Sequence, residues 1–368
     1  MALLLEKGYN GTQSGGREDL SNLIANVDSR STPFTSMAKK GKKPGNALMS
    51  WQMDSMEAPN VTGYVDGTDV SMVTGSSGVG QGEAASAKNA LFVNPAKNRV
   101  LASNYVQMFR RTFRISSLAN EIQEVAGVKS ELANGIAKKL VELKRDMELT
   151  FLNDGDAQAD NGGVTPYLTK ALGSFLDADG QTGTCAQPVD SDFYCNAIES
   201  TATTANLTEA NVQDVLKKLF ENTGTIRDYD LLLGTTLKRA FTNFTQSVSN
   251  TLAGSGSGAT LVVDATASPI KTFNQDASTK SYINCIDLFE GDFGRLRLHP
   301  STFIARNGSI VQTVGYVIPF DQTEIRYGKL PQIKELTDNG GGPARLIEAV
   351  AALVVENPKS FGIFDLSA

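Results

Sequence analysis

The feature that most restricts this chain is the apolar series Leu118, Ile122, Val125, Val128, Leu132, Ile136, Leu140, Leu143, Met147 and Phe151. Its steps of three and four place one apolar stripe along a helix about 50 Å long at roughly 1.5 Å per residue. Ser117, or alternatively Asn120, caps its start, and Asn153-Asp154-Gly155 ends it. Lys138, Lys139, Glu142, Lys144, Arg145, Asp146 and Glu148 fall on the polar face as solvated, mutually paired charges. No heptad partner accompanies the helix, so it must act as a spine on which other elements pack.

Strand signals stand on either side of it. Residues 103–115 alternate around Tyr105, Gln107, Phe109, Arg111 and Phe113, which predicts a strand returning from a hairpin arm. Leu346 to Glu356 is almost continuously apolar, which predicts a strand covered on both faces and packed on the long helix. Between them the pattern predicts a capped helix over 208–221, a buried strand at Tyr229–Gly234 and a helix over 237–248. Further strands are predicted at 281–289, 296–298 and 309–318, which makes an α+β chain.

Two stretches cannot build a core. From Trp51 to about Val93 the chain is mostly Gly, Ser, Thr, Ala and Asn, and Gly63, Gly67, Gly75, Gly78, Gly80 and Gly82 exclude a helix. A loop this long inside a compact domain is a functional excursion or a hairpin supported from outside. Residues 1–47 hold one short amphipathic piece, Leu20–Val27, and read as an arm that orders across something else, another subunit included. Lys39-Lys40-Gly41-Lys42-Lys43 ends the arm, either as a solvated loop or as a surface for a phosphate or acidic partner.

The catalytic inventory is thin for 368 residues. His299 is the only imidazole, and Pro300 after it favours an extended backbone. Cys185, Cys195 and Cys285 have no CxxC spacing, so they predict buried, reduced thiols and neither a zinc site nor a disulfide framework. The acidic run Asp154 to Asp160 lacks the order of a calcium-binding EF-hand and reads as a turn. No catalytic, cofactor-binding or metal-ligating residue is assigned. A net charge of -6 argues against a dedicated nucleic-acid binder. Ala2-Leu3-Leu4-Leu5 is cut short by Glu6 and Lys7, too brief for a signal peptide or a membrane span, which predicts a cytoplasmic chain.

Particular phrases carry a resemblance. Asp28 to Met37 (DSRSTPFTSM), Trp51-Gln52-Met53-Asp54-Ser55, Ser103 to Phe109 (SNYVQMF) and Ser130 to Lys139 (SELANGIAKK) resemble the tailed-bacteriophage major capsid proteins of the Hong Kong 97 type. Val355 to Gly362 (VENPKSFG) is similar to that family's closing strand and tail. The resemblance implies an N-terminal arm over 1–47 and an extended loop, the E-loop, over 48–116. It further implies a peripheral domain over 117–163 and 319–368 and an axial α/β domain over 164–318. It implies pentamers and hexamers of self, closed into an icosahedral head shell around double-stranded DNA. Scaffolding, portal and cement proteins are the further partners it implies, with no membrane, and with assembly in the host bacterial cytoplasm before residence in the virion capsid. Some members carry a cleaved N-terminal scaffolding segment; no long charged helical prefix is present here, so a separate scaffold, or none, is expected.

One strip in this acidic chain is basic. No acidic residue falls between Glu83 and Glu121, whereas Lys88, Lys97, Arg99, Arg110, Arg111 and Arg114 all do. These arginines meet either the chain's own carboxylates or those of a neighbouring subunit, where the rigid guanidinium fork suits carboxylates. Under the resemblance Trp51, Lys88, Lys97, Arg99, Arg110, Arg111 and Arg114 are subunit-interface residues, and Trp51 anchors the root of the loop. A hydrolase or binding protein using His299 or the Asp154–Asp160 loop is the alternative, and a tail or decoration protein a third reading.

Overall fold

A computed structural model of the chain describes residues 28–56, 61, 99–122, 130–176, 185, 193–200, 202, 207–244, 250–253, 260–263 and 286–366. The chain divides into two compact units: 1–30, 110–143 and 331–348 form one, and 31–109, 144–330 and 349–368 the other. The described elements begin with α1 (Pro33–Met37), β1 (Lys39–Lys40), β2 (Leu48–Met53), β3 (Val100–Tyr105) and β4 (Gln107–Arg114). Then come α2 (Ser117–Ile122), α3 (Glu131–Phe151), α4 (Leu172–Leu176), β5 (Ala197–Glu199), α5 (Glu209–Thr223), β6 (Arg227–Leu233) and α6 (Thr235–Phe244). Short hairpins and strands β7 (Asn250–Ala253), β8 (Thr260–Val263), β9 (Leu288–Gly291), β10 (Gly294–Pro300), β11 (Ala305–Arg306), β12 (Ser309–Ile310) and β13 (Val314–Ile318) follow. Long strands β14 (Thr323–Leu336) and β15 (Ala344–Val355) and the short β16 (Gly362–Asp365) complete the order.

The expected single helix over 117–153 is interrupted. Ser130 is not helical; its hydroxyl accepts from the Ala133 N–H at 3.4 Å and opens α3 as a new helix. Ser116, rather than Ser117 or Asn120, caps α2 by accepting from the Ala119 N–H at 3.1 Å. Residues 123–129, between the two pieces, lie outside the described residues. The apolar stripe itself is realised in α3, where Leu143, Met147 and Phe151 are buried. Gly135 sits where a Cβ would come within 2.6 Å of the Phe113 ring, so the missing side chain lets β4 approach the helix.

The predicted strand over 103–115 divides at Val106. Its first half, β3, pairs antiparallel with β2, with Trp51 opposite Ala102 and Met49 opposite Asn104. The second half, β4, enters a four-stranded sheet in the order β1-β14-β15-β4. Val106 itself donates its N–H to the Ala47 carbonyl at 2.9 Å. One face of β15 packs Ala352 and Val354 against Met49 and Val106, so the hairpin covers part of the apolar strand.

A six-stranded sheet, order β5-β16-β13-β6-β10-β9, forms the larger core. Strands β6 and β10 run parallel, with Leu231 opposite Leu298, and β13 lies antiparallel on the other side of β6. Burial on both faces explains the unbroken apolar runs Leu231-Leu232-Leu233 and Tyr316-Val317-Ile318. Helix α5 has a capping box in which the Thr208 hydroxyl accepts from the Asn211 N–H, and it ends at Gly224 in the left-handed region, φ 66°. Strand β16 enters this sheet between β13 and β5. Residues 362–365 therefore share a sheet with strands of the 164–318 segment.

Candidate functional site

The basic strip begins at β4, whose alternation buries Phe109 and leaves Met108, Arg110, Thr112 and Arg114 exposed. Arg110 Nε donates to Glu348 Oε2 at 2.9 Å, and Lys334 Nζ lies 3.5 Å from the other carboxylate oxygen, so one nearly buried carboxylate serves two cations. Arg111 approaches Glu142 at 3.9 Å, a carboxylate that also takes Lys139 at 2.7 Å. Arg114 lies 3.4 Å from Asp338 and donates to the Gly342 carbonyl at 3.3 Å. Asp338 also accepts the N–H groups of Gly340, Gly341 and Gly342 at 3.0, 3.1 and 3.0 Å. Those bonds, the Gly342 N–H foremost, hold its carboxyl below the usual carboxylate range. Arg99 pairs with Asp54 at 3.3 Å just beyond the Met53–Val100 pair, where the two strands lead into the connecting segment. All four arginines thus meet carboxylates of their own chain, and their guanidinium groups stay roughly half exposed. Lys88 and Lys97 lie outside the described residues.

Trp51 lies in β2, opposite Ala102 of β3. Its ring lies 6.0 Å from Phe175, and it packs against both the Met49–Val354 cluster and the Met53–Ala102–Phe193 cluster. Its indole N–H is buried with no hydrogen-bond partner among the described residues. Next to it in the ladder, Asn104 is fully buried and ties three segments together. Its amide donates to the Leu353 carbonyl at 2.7 Å and the Thr169 hydroxyl at 3.1 Å, and its carbonyl accepts from the Lys170 N–H at 2.6 Å. Lys170 is buried too, with Nζ donating to the Cys185 carbonyl at 3.2 Å over the Phe175 ring; burial pushes its amine below the usual lysine range.

Sequence reasoning missed a second fixed point. Glu148, which the sequence pattern puts on the solvated face of the helix, is fully buried. Its carboxylate oxygens accept from the Phe34 N–H and the Thr35 N–H, each at 2.8 Å. These are N–H groups at the start of α1, where Thr32 makes no side-chain cap and Pro33 has no N–H. A helix start without its own cap needs an acceptor from elsewhere, and Glu148 supplies it. Phe34 completes the joint, 6.2 Å from Phe151 and 6.0 Å from Phe320. Burial pushes the Glu148 carboxyl up, with the two N–H bonds pulling the other way.

The residues of the enzymatic alternative are engaged in the scaffold. His299 Nε2 lies 2.9 Å from Asp230 Oδ1 on the neighbouring strand, β6. Asp154 accepts from the Asn307 N–H at 2.7 Å, Asp156 takes the Ser174 hydroxyl, and Asp160 accepts from the Gly162 N–H at 2.8 Å. The three aspartates serve three separate bonds; that of Asp160 lies within the turn, whereas those of Asp154 and Asp156 reach residues 153 and 18 positions away. Cys185 and Cys195 are buried and form no disulfide, and the Cys195 thiol donates to the Phe361 carbonyl at 3.0 Å; Cys285 lies outside the described residues. No helix among the described residues is long and apolar enough to cross a membrane.

This architecture has known counterparts. The capsid asymmetric unit of cyanophage A-1(L) aligns with a TM-score of 0.58 at 12% identity, over 96% of this chain and 98% of that one. The capsid of the native GTA particle aligns at 0.52 and 10% identity over 100% and 99% of the two chains, and that of Microbacterium phage Oxtober96 at 0.51 and 11% over 95% of each. These likenesses bear out the α+β capsid fold expected from the sequence. No curated protein matches the chain by sequence. The model of the SU10 major capsid protein family, however, matches residues 7–367, nearly the whole of it. With its charged groups engaged in holding strands and helix starts together, and with that family's pattern running from end to end, the chain belongs to the SU10 major capsid protein family.

Proposed function

We propose that this capsid protein assembles as pentamers and hexamers into the icosahedral head shell that encloses the double-stranded DNA of a tailed phage. The match of the family over residues 7–367 carries the reading. In this proposal residues 1–47 are the arm, 48–116 the E-loop laid over the next subunit, 117–163 and 319–368 the peripheral domain, and 164–318 the axial domain. The half-exposed guanidinium groups of Arg99, Arg110, Arg111 and Arg114 keep donors available beyond their own carboxylates, and they contact the neighbouring copy together with Lys88 and Lys97. Trp51 fixes the loop root within its own chain. Assembly takes place in the host bacterial cytoplasm with scaffolding, portal and cement proteins. The net charge of -6 suits a wall that touches the packaged genome weakly and without sequence preference.

Size-exclusion chromatography and negative-stain microscopy of the purified chain test the reading. Rings of subunits or closed shells are expected. A stable monomer with a hydrolytic turnover abolished by His299→Ala would instead establish the enzyme.

A further inference from the structure

The acidic turn at Asp154–Asp160 runs into a residue pair that the proposed assembly does not use. Five Asn-Gly pairs occur in the chain: Asn10-Gly11, Asn134-Gly135, Asn161-Gly162, Asn307-Gly308 and Asn339-Gly340, of which the first lies outside the described residues. In such a pair the glycine nitrogen is tethered to the asparagine side-chain carbon and has no Cβ beside it, so the two can close a five-membered ring. The rate depends on a group that takes the N–H proton, on donors for the oxygen where charge develops, and on a backbone outside a helix.

Only Asn161-Gly162 combines all of these among the described residues. The Gly162 N–H donates to Asp160 Oδ1 at 2.8 Å, so a carboxylate already faces the proton of the attacking nitrogen. Asn161 Oδ1 accepts from the Val164 N–H at 3.1 Å and the Thr165 N–H at 3.0 Å, two donors aimed at the oxygen that turns anionic when its carbon is attacked. Residues Asp160 to Val164 are exposed, and a Cβ built on Gly162 would meet nothing within 4 Å, which gives water access to the ring.

Each of the other described pairs lacks a part. Gly135 lies inside α3, where backbone N–H groups are committed to the helix. The Gly308 N–H donates to the Asn153 amide oxygen at 3.4 Å, which is no base. The Gly340 N–H does meet a carboxylate oxygen, that of Asp338 at 3.0 Å, but the same oxygen accepts from Gly341 and Gly342 and the carboxyl is held below the usual range, which makes it a poorer proton acceptor.

We propose that Asn161-Gly162 is a self-modification site at which Asp160 acts as base and the Val164 and Thr165 N–H groups as oxyanion donors, converting Asn161 to an acidic residue. Gly162 N attacks Asn161 Cγ while its proton passes to Asp160. The N–Cγ bond forms, the Cγ–Nδ2 bond breaks, and Nδ2 leaves as ammonia with the proton that Asp160 returns, giving a succinimide. Water then opens the ring at either carbonyl, to an aspartyl or an isoaspartyl residue. The product sets a second carboxylate next to Asp160, which lines an open groove of about 590 Å³ together with Lys43 and Lys329. The charge at this groove therefore changes with the age of each copy.

Peptide mass spectrometry of the full purified chain, held for days near neutral pH, tests the proposal whether or not copies assemble. Asn161 should convert at least about tenfold faster than Asn134, Asn307 or Asn339, to a mixture of aspartyl and isoaspartyl forms. Asp160→Asn leaves an oxygen that can still accept from the Gly162 N–H but removes the base, and should slow the conversion about tenfold or more. An equal or higher rate in Asp160→Asn overturns the proposal, because the bonds around Asn161 would then lock its side chain against attack. A rate at Asn161 no higher than at Asn339 overturns it as well.

Discussion

Two buried polar side chains hold much of the larger unit in register. Removing Asn104 strips partners from the Leu353 carbonyl and the Lys170 N–H at once. Asn104→Ala should therefore lower stability by about 1–3 kcal/mol for each buried group left unsatisfied, read by urea unfolding. Glu148 makes a pH-dependent prediction. Its folded-state pKa is raised from 4.5, so the folded chain holds the proton more tightly than the unfolded one. The stabilisation linked to that proton is complete below the unfolded value and is lost as pH rises through the folded value. Unfolding free energies of wild type and Glu148→Gln should accordingly converge, or cross, as pH is raised from 4.5; a widening advantage for wild type contradicts the assignment. Neither residue was legible in the sequence. Glu148 sits among lysines and acids that do face solvent, and periodicity cannot separate one buried carboxylate from its neighbours when its partners lie more than a hundred residues away.

Elements were read better than their ends and partners. The stripe through Leu143, Met147 and Phe151, the alternation through Phe109 and the apolar run of β15 all follow from local pattern and appear as expected. The split at Val106 did not, because one alternating run serves two sheets and only tertiary pairing decides where it changes partner. The same holds for Ser130, whose capping role competes with an unbroken apolar period. At this scale the turn between β14 and β15 makes a sharp prediction. Gly342 has φ 101°, and a Cβ there would fall 2.2 Å from the Ile115 carbonyl oxygen. Gly342→Ala should speed hydrogen exchange at the Asp338–Pro343 turn and at Ile115, whose N–H is held by the Pro343 carbonyl at 3.2 Å. Gly340→Ala, where φ is 89° and no atom crowds the added carbon, should have a milder effect from backbone strain alone.

For the whole molecule, the proposed interface role of the arginines makes a prediction that separates folding from assembly. Arg110→Ala with Arg111→Ala and Arg114→Ala should give soluble capsomers that fail to close; the exposed pairs of Arg111 and Arg114 contribute little to the thermal midpoint, so most of its fall should come from Arg110, whose partner Glu348 is nearly buried. Normal shells in negative-stain micrographs would confine these arginines to their own chain. The phrases Asp28–Met37 and Ser103–Phe109, two of those that carried the family resemblance, also hold the uncapped helix start and the buried asparagine. The strand order of the larger sheet has a further consequence. Residues 362–365 lie between β5 and β13 rather than at an edge, yet they are translated after every other strand of that sheet. The sheet therefore stays split on the ribosome, with β5 unable to join β13, until this tetrapeptide has emerged, so the larger core closes only at the end of synthesis.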